Sequence, residues 1–169
     1  MMNETDFASL PVINYVEAVL IVFTFVMGFM VNFMPFLVII RHKSFHNSFG
    51  YIIAYNALAN VFVLLVIGVW AAPWTLFAVP KSVQGANLFF GQTALFFLEA
   101  GFHGNLLITL NRFAAVTFPL KYRLWFTPKS TIIMLICMTC VPLAYSTIFF
   151  IGVPDISGIL AYATVFQFD

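Results

Sequence analysis

A chain of 169 residues is about one domain's worth, yet 63% of it is hydrophobic and only 8% charged, with a mean hydropathy of +1.03 and a net charge of +1. A water-soluble domain carries roughly 25% charged residues because its surface faces water. Thirteen charged side chains cannot coat a domain of this size. A soluble enzyme, a nucleic-acid binder and a disordered tail are excluded, which leaves an integral, multi-pass membrane protein.

Residues 1–15 contain Glu4 and Asp6 and no basic residue. A cleavable signal peptide starts with positive charge, so the first span is expected to act as its own signal-anchor. Asn3-Glu4-Thr5 is a glycosylation sequon, which makes Asn3 a candidate acceptor on the outer side. About 20 apolar residues suffice for a helix to cross a bilayer, and four stretches qualify. They cover about 16–40, 51–76, 88–118 and 131–152. The first ends abruptly at Arg41-His42-Lys43, the second has Pro73 near its outer end, and the third is long enough to tilt or project. Residues 153–169 hold an apolar run of 13 residues, Ile156 to Phe168, too short for another crossing. They are expected to form an outer loop or to open a fifth span. The fold class is therefore an all-α membrane protein with four transmembrane helices.

Orientation follows from the basic residues, which favour the cytosolic side. Arg41, Lys43, Arg112, Lys121, Arg123 and Lys129 lie on one side and Lys81 alone on the other. Six against one places both termini outside, and Glu4, Asp6, Asp155 and Asp169 fall on that same outer side.

Cys137 and Cys140 sit in the middle of the fourth span. In a soluble protein this spacing suggests redox or zinc chemistry. Inside a membrane helix, with no His or acid nearby, it points to helix packing instead. His42, His46 and His103 are not spaced as metal ligands. No Ser-His-acid set, carboxylate pair or glycine-rich phosphate loop is present, so neither an enzyme nor a cofactor or metal is implied.

Polar side chains within the spans are costly in hydrocarbon and are the first functional suspects. They are Asn32, Asn56, Asn60, Gln92, Glu99, His103, Asn105, Asn111 and Arg112. The plainest role for any single asparagine is an interhelical hydrogen bond, and Asn32, Asn56, Asn60 and Asn105 are assigned that role. At 100° per residue, Gln92, Glu99 and His103 fall within about 40° of one another on one helical face. Asn105 and Arg112 share a second face, about 140° from Glu99. Glu99 and His103 form an i,i+4 pair that serves either as an interhelical group or as a ligand contact.

The most specific segment is Asn111-Arg112-Phe113, followed by Pro119-Leu120-Lys121-Tyr122. It resembles the Asp-Arg-Tyr…Pro-Leu-x-Tyr motif that ends the third helix of rhodopsin-like G-protein-coupled receptors, with Arg112, Pro119, Leu120 and Tyr122 matching. Gly28-Phe-Met-Val-Asn32 and Asn56-Ala57-Leu58-Ala59-Asn60 resemble the family's first- and second-helix landmarks. Asn47-Ser-Phe-Gly50, Ala-Pro-Trp-Thr-Leu76 and Leu110-Asn-Arg-Phe add a narrower likeness to the nematode serpentine chemoreceptors of class X. The resemblance covers about residues 16–152.

The resemblance implies a receptor that senses a small external chemical and signals to a heterotrimeric G protein through Asn111, Arg112, Phe113, Pro119, Leu120 and Tyr122. Its partners would be the lipid bilayer, an unknown small-molecule ligand, the G protein and a receptor oligomer. Its location would be the plasma membrane. The departures are equally definite. Asn87 stands where the family usually has a cysteine, the fourth span lacks the usual tryptophan, and Asn60 replaces an aspartate. An amide cannot supply that aspartate's charge, so no sodium site is expected. As given, the chain corresponds to the first four of seven helices, a truncated form not expected to signal alone and expected either to be retained in the endoplasmic reticulum or to act by dominant-negative pairing. The competing reading is a non-signalling four-helix membrane protein, an interaction partner or a gene fragment.

Overall fold

The structure is a computed structural model that describes the backbone of residues 12–77 and 84–151 and the side chains of 15–77 and 86–147. Asn3, the N-terminal acids, Lys81 and residues 153–169 lie outside the described residues. Among the described residues all regular structure is helical: α1 Val12–Arg41, a 3-10 turn Lys43–Phe45, α2 Ser48–Leu65, a π-helical stretch Val66–Ala71, α3 Ala72–Leu76, α4 Gln84–Thr117, α5 Pro119–Trp125 and α6 Pro128–Ile151. Four helical stretches, Tyr15–Arg41, Ser48–Leu76, Ala86–Thr117 and Pro128–Thr147, are long and apolar enough to cross a bilayer. Helices satisfy their own backbone hydrogen bonds, which hydrocarbon cannot do for them.

The α2 helix is the hub. It packs against α1 on one side and α4 on the other, while α4 and α6 complete the bundle. Eight of the twelve buried hydrophobic residues among those described are alanines, among them Ala57, Ala59, Ala100 and Ala114. Lipid tails are as apolar as leucine, so burial of large side chains brings little gain and close backbone approach brings more. The large apolar residues accordingly point outward, with Val116 at 84% exposure.

Two local devices fix α2. Asn47 precedes it in extended conformation, and its side chain accepts from the Gly50 N–H at 2.9 Å, an N-cap that starts the helix at Ser48. Gly50 is required there, because a Cβ would stand 1.9 Å from the Phe45 carbonyl oxygen. Gly50→Ala is expected to cost about 1–3 kcal/mol as an overpacking change, read as a lower midpoint of unfolding in detergent. At the other end, Pro73 would clash with a carbonyl one turn back. The π-helical turn before it relieves that clash, with the Ala72 N–H donating to the Ile67 carbonyl.

Candidate functional site

Three polar groupings stand out in the bundle. The first ties the spans together near mid-helix. Asn32 Nδ2 donates to the Gly28 carbonyl at 2.8 Å, and Asn60 Nδ2 donates to Asn32 Oδ1 at 3.0 Å. Asn56, one turn from Asn60 on α2, donates from Nδ2 to Asn105 Oδ1 at 3.0 Å. Amides on α1, α2 and α4 are thus linked in two pairs that share α2. Gly101 and Gly104 of α4 make room for them. A Cβ on Gly101 would lie 3.1 Å from Asn60 Oδ1, and one on Gly104 would lie 3.0 Å from Asn56 Oδ1. The buried Asn56 Oδ1 has no hydrogen-bond partner and rests against this glycine face. Tyr55 reaches α6 by sharing a 2.9 Å hydrogen bond with Thr139.

The second grouping lies on the outward side of α4. The Glu99 side chain is 55% exposed, and its carboxylate stands 3.9 Å from His103 Nδ1. That nitrogen also lies 2.7 Å from the Glu99 carbonyl oxygen, so the histidine is oriented by the turn above it. Glu99 makes no hydrogen bond or ion pair to another of the described helices, whereas Gln92 is buried. The shared sector of Gln92, Glu99 and His103 is split because its edge coincides with the edge of the packed face.

The third grouping lies at the end of the bundle that carries the basic loops. Arg112 is exposed, and its guanidinium carbon sits 5.6 Å from the centroid of the Phe49 ring of α2. Next to it Asn111 turns inward and is buried. The Tyr122 hydroxyl donates to Asn111 Oδ1 across 3.5 Å, a long contact, and Asn111 Nδ2 has no partner. The chain turns between them at Phe118, whose φ of −131° and ψ of 61° take it out of the helix ahead of Pro119. A residue before proline disfavours helical backbone, and proline suits the first turn of the next helix. Here that next helix is α5. Leu120 and Leu124 project from it at 89% and 76% exposure, and Phe113 is also exposed, edge-on to Phe118.

The structure therefore brings Asn111 and Tyr122 together, and Asn32 with Asn60, and Asn56 with Asn105. It keeps Arg112 away from Asn111 and on the opposite side of α4's uncovered face from Glu99. Cys137 and Cys140 are both exposed on α6 and not in the helix packing expected of them. Cysteine behaves as a small hydrophobe, and lipid accepts it on an outward face. Asn87, at the position of the family's usual cysteine, instead accepts from Trp70 Nε1 at 2.9 Å, and Trp70 stacks on Phe90 with centroids 3.9 Å apart. Sequence reasoning missed Phe49, Gly101, Gly104 and Ser48; the four-residue register of Asn56 and Asn60 against Gly-x-x-Gly was the available signal. Among the described residues no three His, Cys, Asp or Glu side chains gather where a metal could be held. An apolar groove of about 450 Å³ between Tyr15, Val22, Phe23 and Leu76 lies on the lipid side of α1, apart from all three groupings.

The family model described as serpentine type 7TM GPCR chemoreceptor Srx matches residues 21–155. The chain belongs to this family. The serpentine receptor class X 45 of Caenorhabditis elegans is 29% identical over 136 residues, which cover 79% of this chain and 37% of that relative. The chain thus spans little more than a third of the length of the curated relative it matches. Srx membership makes the chain a multi-pass integral membrane protein of a chemoreceptor family and supports a GPCR-like chemosensory role. The Srx match spans all three polar groupings.

Proposed function

We propose that the chain forms the first four helices of a chemosensory receptor that detects a small external molecule and passes the signal to a heterotrimeric G protein. The observation that carries this reading is the basic end of the bundle. Among the described residues Arg112 is tethered there only by an aromatic ring, beside a helix that displays Leu120 and is anchored by Tyr122. That end faces the cytosol, as the basic asymmetry requires, and the receptor works at the plasma membrane. The outward arc of α4, from Leu98 and Glu99 through Phe102 and Asn105 to Arg112 and Val116, is where three further spans would pack. Those spans would close both the ligand pocket and the G-protein crevice. Ala94 and Leu98 make this helix's share of the pocket floor apolar, with Glu99 and His103 available to a ligand or to a neighbouring span.

A second reading is favoured by the exposure of Glu99 and Arg112 in the four-helix unit. Such a unit pairs with an intact receptor or is held in the endoplasmic reticulum. The deciding experiment is a chimera: residues 1–152 followed by the remaining spans of the C. elegans class X relative, expressed with a promiscuous G-protein reporter and challenged with a broad chemical panel. The receptor reading predicts a dose-dependent response. A chimera that reaches the surface and stays silent to every compound and to basal readout contradicts it.

A further inference from the structure

Three side-chain hydrogen bonds hold α5, and each reaches it from a different spanning helix. From α4, Asn111 Oδ1 receives the Tyr122 hydroxyl. From α6, the Ser130 hydroxyl donates to the Trp125 carbonyl, while Thr127 Oγ1 caps the same helix by accepting from the Ser130 N–H at 3.2 Å. From α2, the Ser48 hydroxyl donates to the Phe126 carbonyl at 2.5 Å, across 78 residues of sequence. The last carbonyls of a helix have no partner inside it and need one from outside; here serines of two other helices supply it.

Ser48 is the informative member of the three. It is 5% exposed although it is the first residue of α2, and the Asn47 cap fixes its position along that helix. Its neighbour Phe49 carries the ring under Arg112. A shift of the α2 start therefore moves both the Arg112 platform and the end of α5. Along α5 the Tyr122 side, stacked on Phe126 at 5.3 Å between centroids, is the anchored side. Leu120 and Leu124, one turn apart, lie on the side left free.

We propose that Ser48 is a positioning residue that clamps α5 to α2 and so sets how Leu120 and Leu124 are presented at the basic end of the bundle. The consequence for signalling rests on the coupling role proposed above, but the clamp itself does not, and its test uses no signalling readout. Lys121 and Arg123 lie inside α5, whereas Arg41 is the last residue of α1 and Lys43 opens the short 3-10 turn Lys43–Phe45 in the other basic connection. A protease cuts within a helix only when that helix opens, so the cutting rate reports the open population.

The full chain is inserted into vesicles with the basic loops outermost and treated briefly with trypsin, and cuts at each site are quantified by mass spectrometry. Ser48→Ala is expected to speed cutting at Lys121 and Arg123 on the order of 5-fold, the effect of losing one net hydrogen bond. Cutting at Arg41 and Lys43 stays at the wild-type rate. Ser48→Thr, which keeps the hydroxyl, returns the rate toward wild type. Ser130→Ala, a second variant that leaves α2 untouched, also speeds cutting in α5. An unchanged rate in Ser48→Ala, an equal rise at all four sites, or a threonine variant as labile as the alanine variant overturns the proposal.

Discussion

Replacing Arg112 by alanine in the seven-span chimera is expected to abolish G-protein coupling, with the response falling to reporter background and surface expression unchanged. The guanidinium is always charged and offers five donors in a fixed fork. Among the described residues the guanidinium meets only the Phe49 ring at 5.6 Å, and the acid-to-imidazole contact of Glu99 with His103 lies elsewhere on α4. An exposed cation–π contact contributes about 0.5–1 kcal/mol, so the side chain is free to turn toward the backbone carbonyls of a docked partner. Arg112→Lys retains the charge and loses the fork, and should retain only part of the response. Because Asn111 carries no charge and faces the interior, no resting ion pair among the described residues restrains Arg112. Basal activity should therefore be raised, and Asn111→Asp should lower it. Full signalling by the Arg112→Ala chimera would refute the coupling role.

The four-helix chain alone is expected to be silent in the same reporter and to self-associate, pair with an intact receptor or stay in the endoplasmic reticulum. Glu99, Asn105 and Arg112 are all exposed on α4; Asn105 and Arg112 meet Asn56 and Phe49 of α2, whereas Glu99 bonds to none of the other described helices. A charged side chain near the centre of a membrane helix costs about 2.5–3.5 kcal/mol on insertion scales. That cost drives Glu99 toward a polar partner. Glu99→Leu should raise surface expression and reduce cross-linked oligomers several-fold, both measurable in one set of cells. A chain that stays monomeric and reaches the surface with Glu99 intact would contradict this account.

Much of the fold is legible in the sequence for one reason: the apolar runs are too long and too free of charge for anything but spanning helices. The basic loops between them are equally legible, because Arg41, Lys43, Lys121, Arg123 and Lys129 cluster where the apolar runs stop. The motif at Asn111 to Tyr122 and the asparagines of α1, α2 and α4 stand out because polar groups are rare in such spans. Which way each side chain points is less legible. In water, hydrophobicity marks the inside of a protein; in a bilayer it marks nothing, so Cys137, Cys140 and Leu98 read alike whether packed or lipid-facing. The outward direction of Glu99 depends on which arc of α4 its neighbours leave uncovered. The needs of Gly101 and Gly104 arise from a helix crossing, that of Gly50 from the Phe45 carbonyl folded back beside the α2 cap, and the bond from Ser48 to Phe126 joins positions that only the bundle brings together. The short α5 helix was hidden behind Pro119, which signals a break more clearly than it signals a new helix.

Membrane topology decides whether the Arg112 end of this bundle lies in the cytosol. Short epitope tags are placed at the N-terminus and, in a second version, after Trp125, and cells are stained intact and after permeabilisation. The N-terminal tag is expected to stain in intact cells that display the chain, while the tag after Trp125 stains only once the membrane is opened. In retained protein, selective permeabilisation of the plasma membrane should reveal the loop tag and leave the N-terminal tag hidden in the lumen. The reverse pattern, with the loop tag accessible from outside the cell or from the lumen, would contradict this orientation.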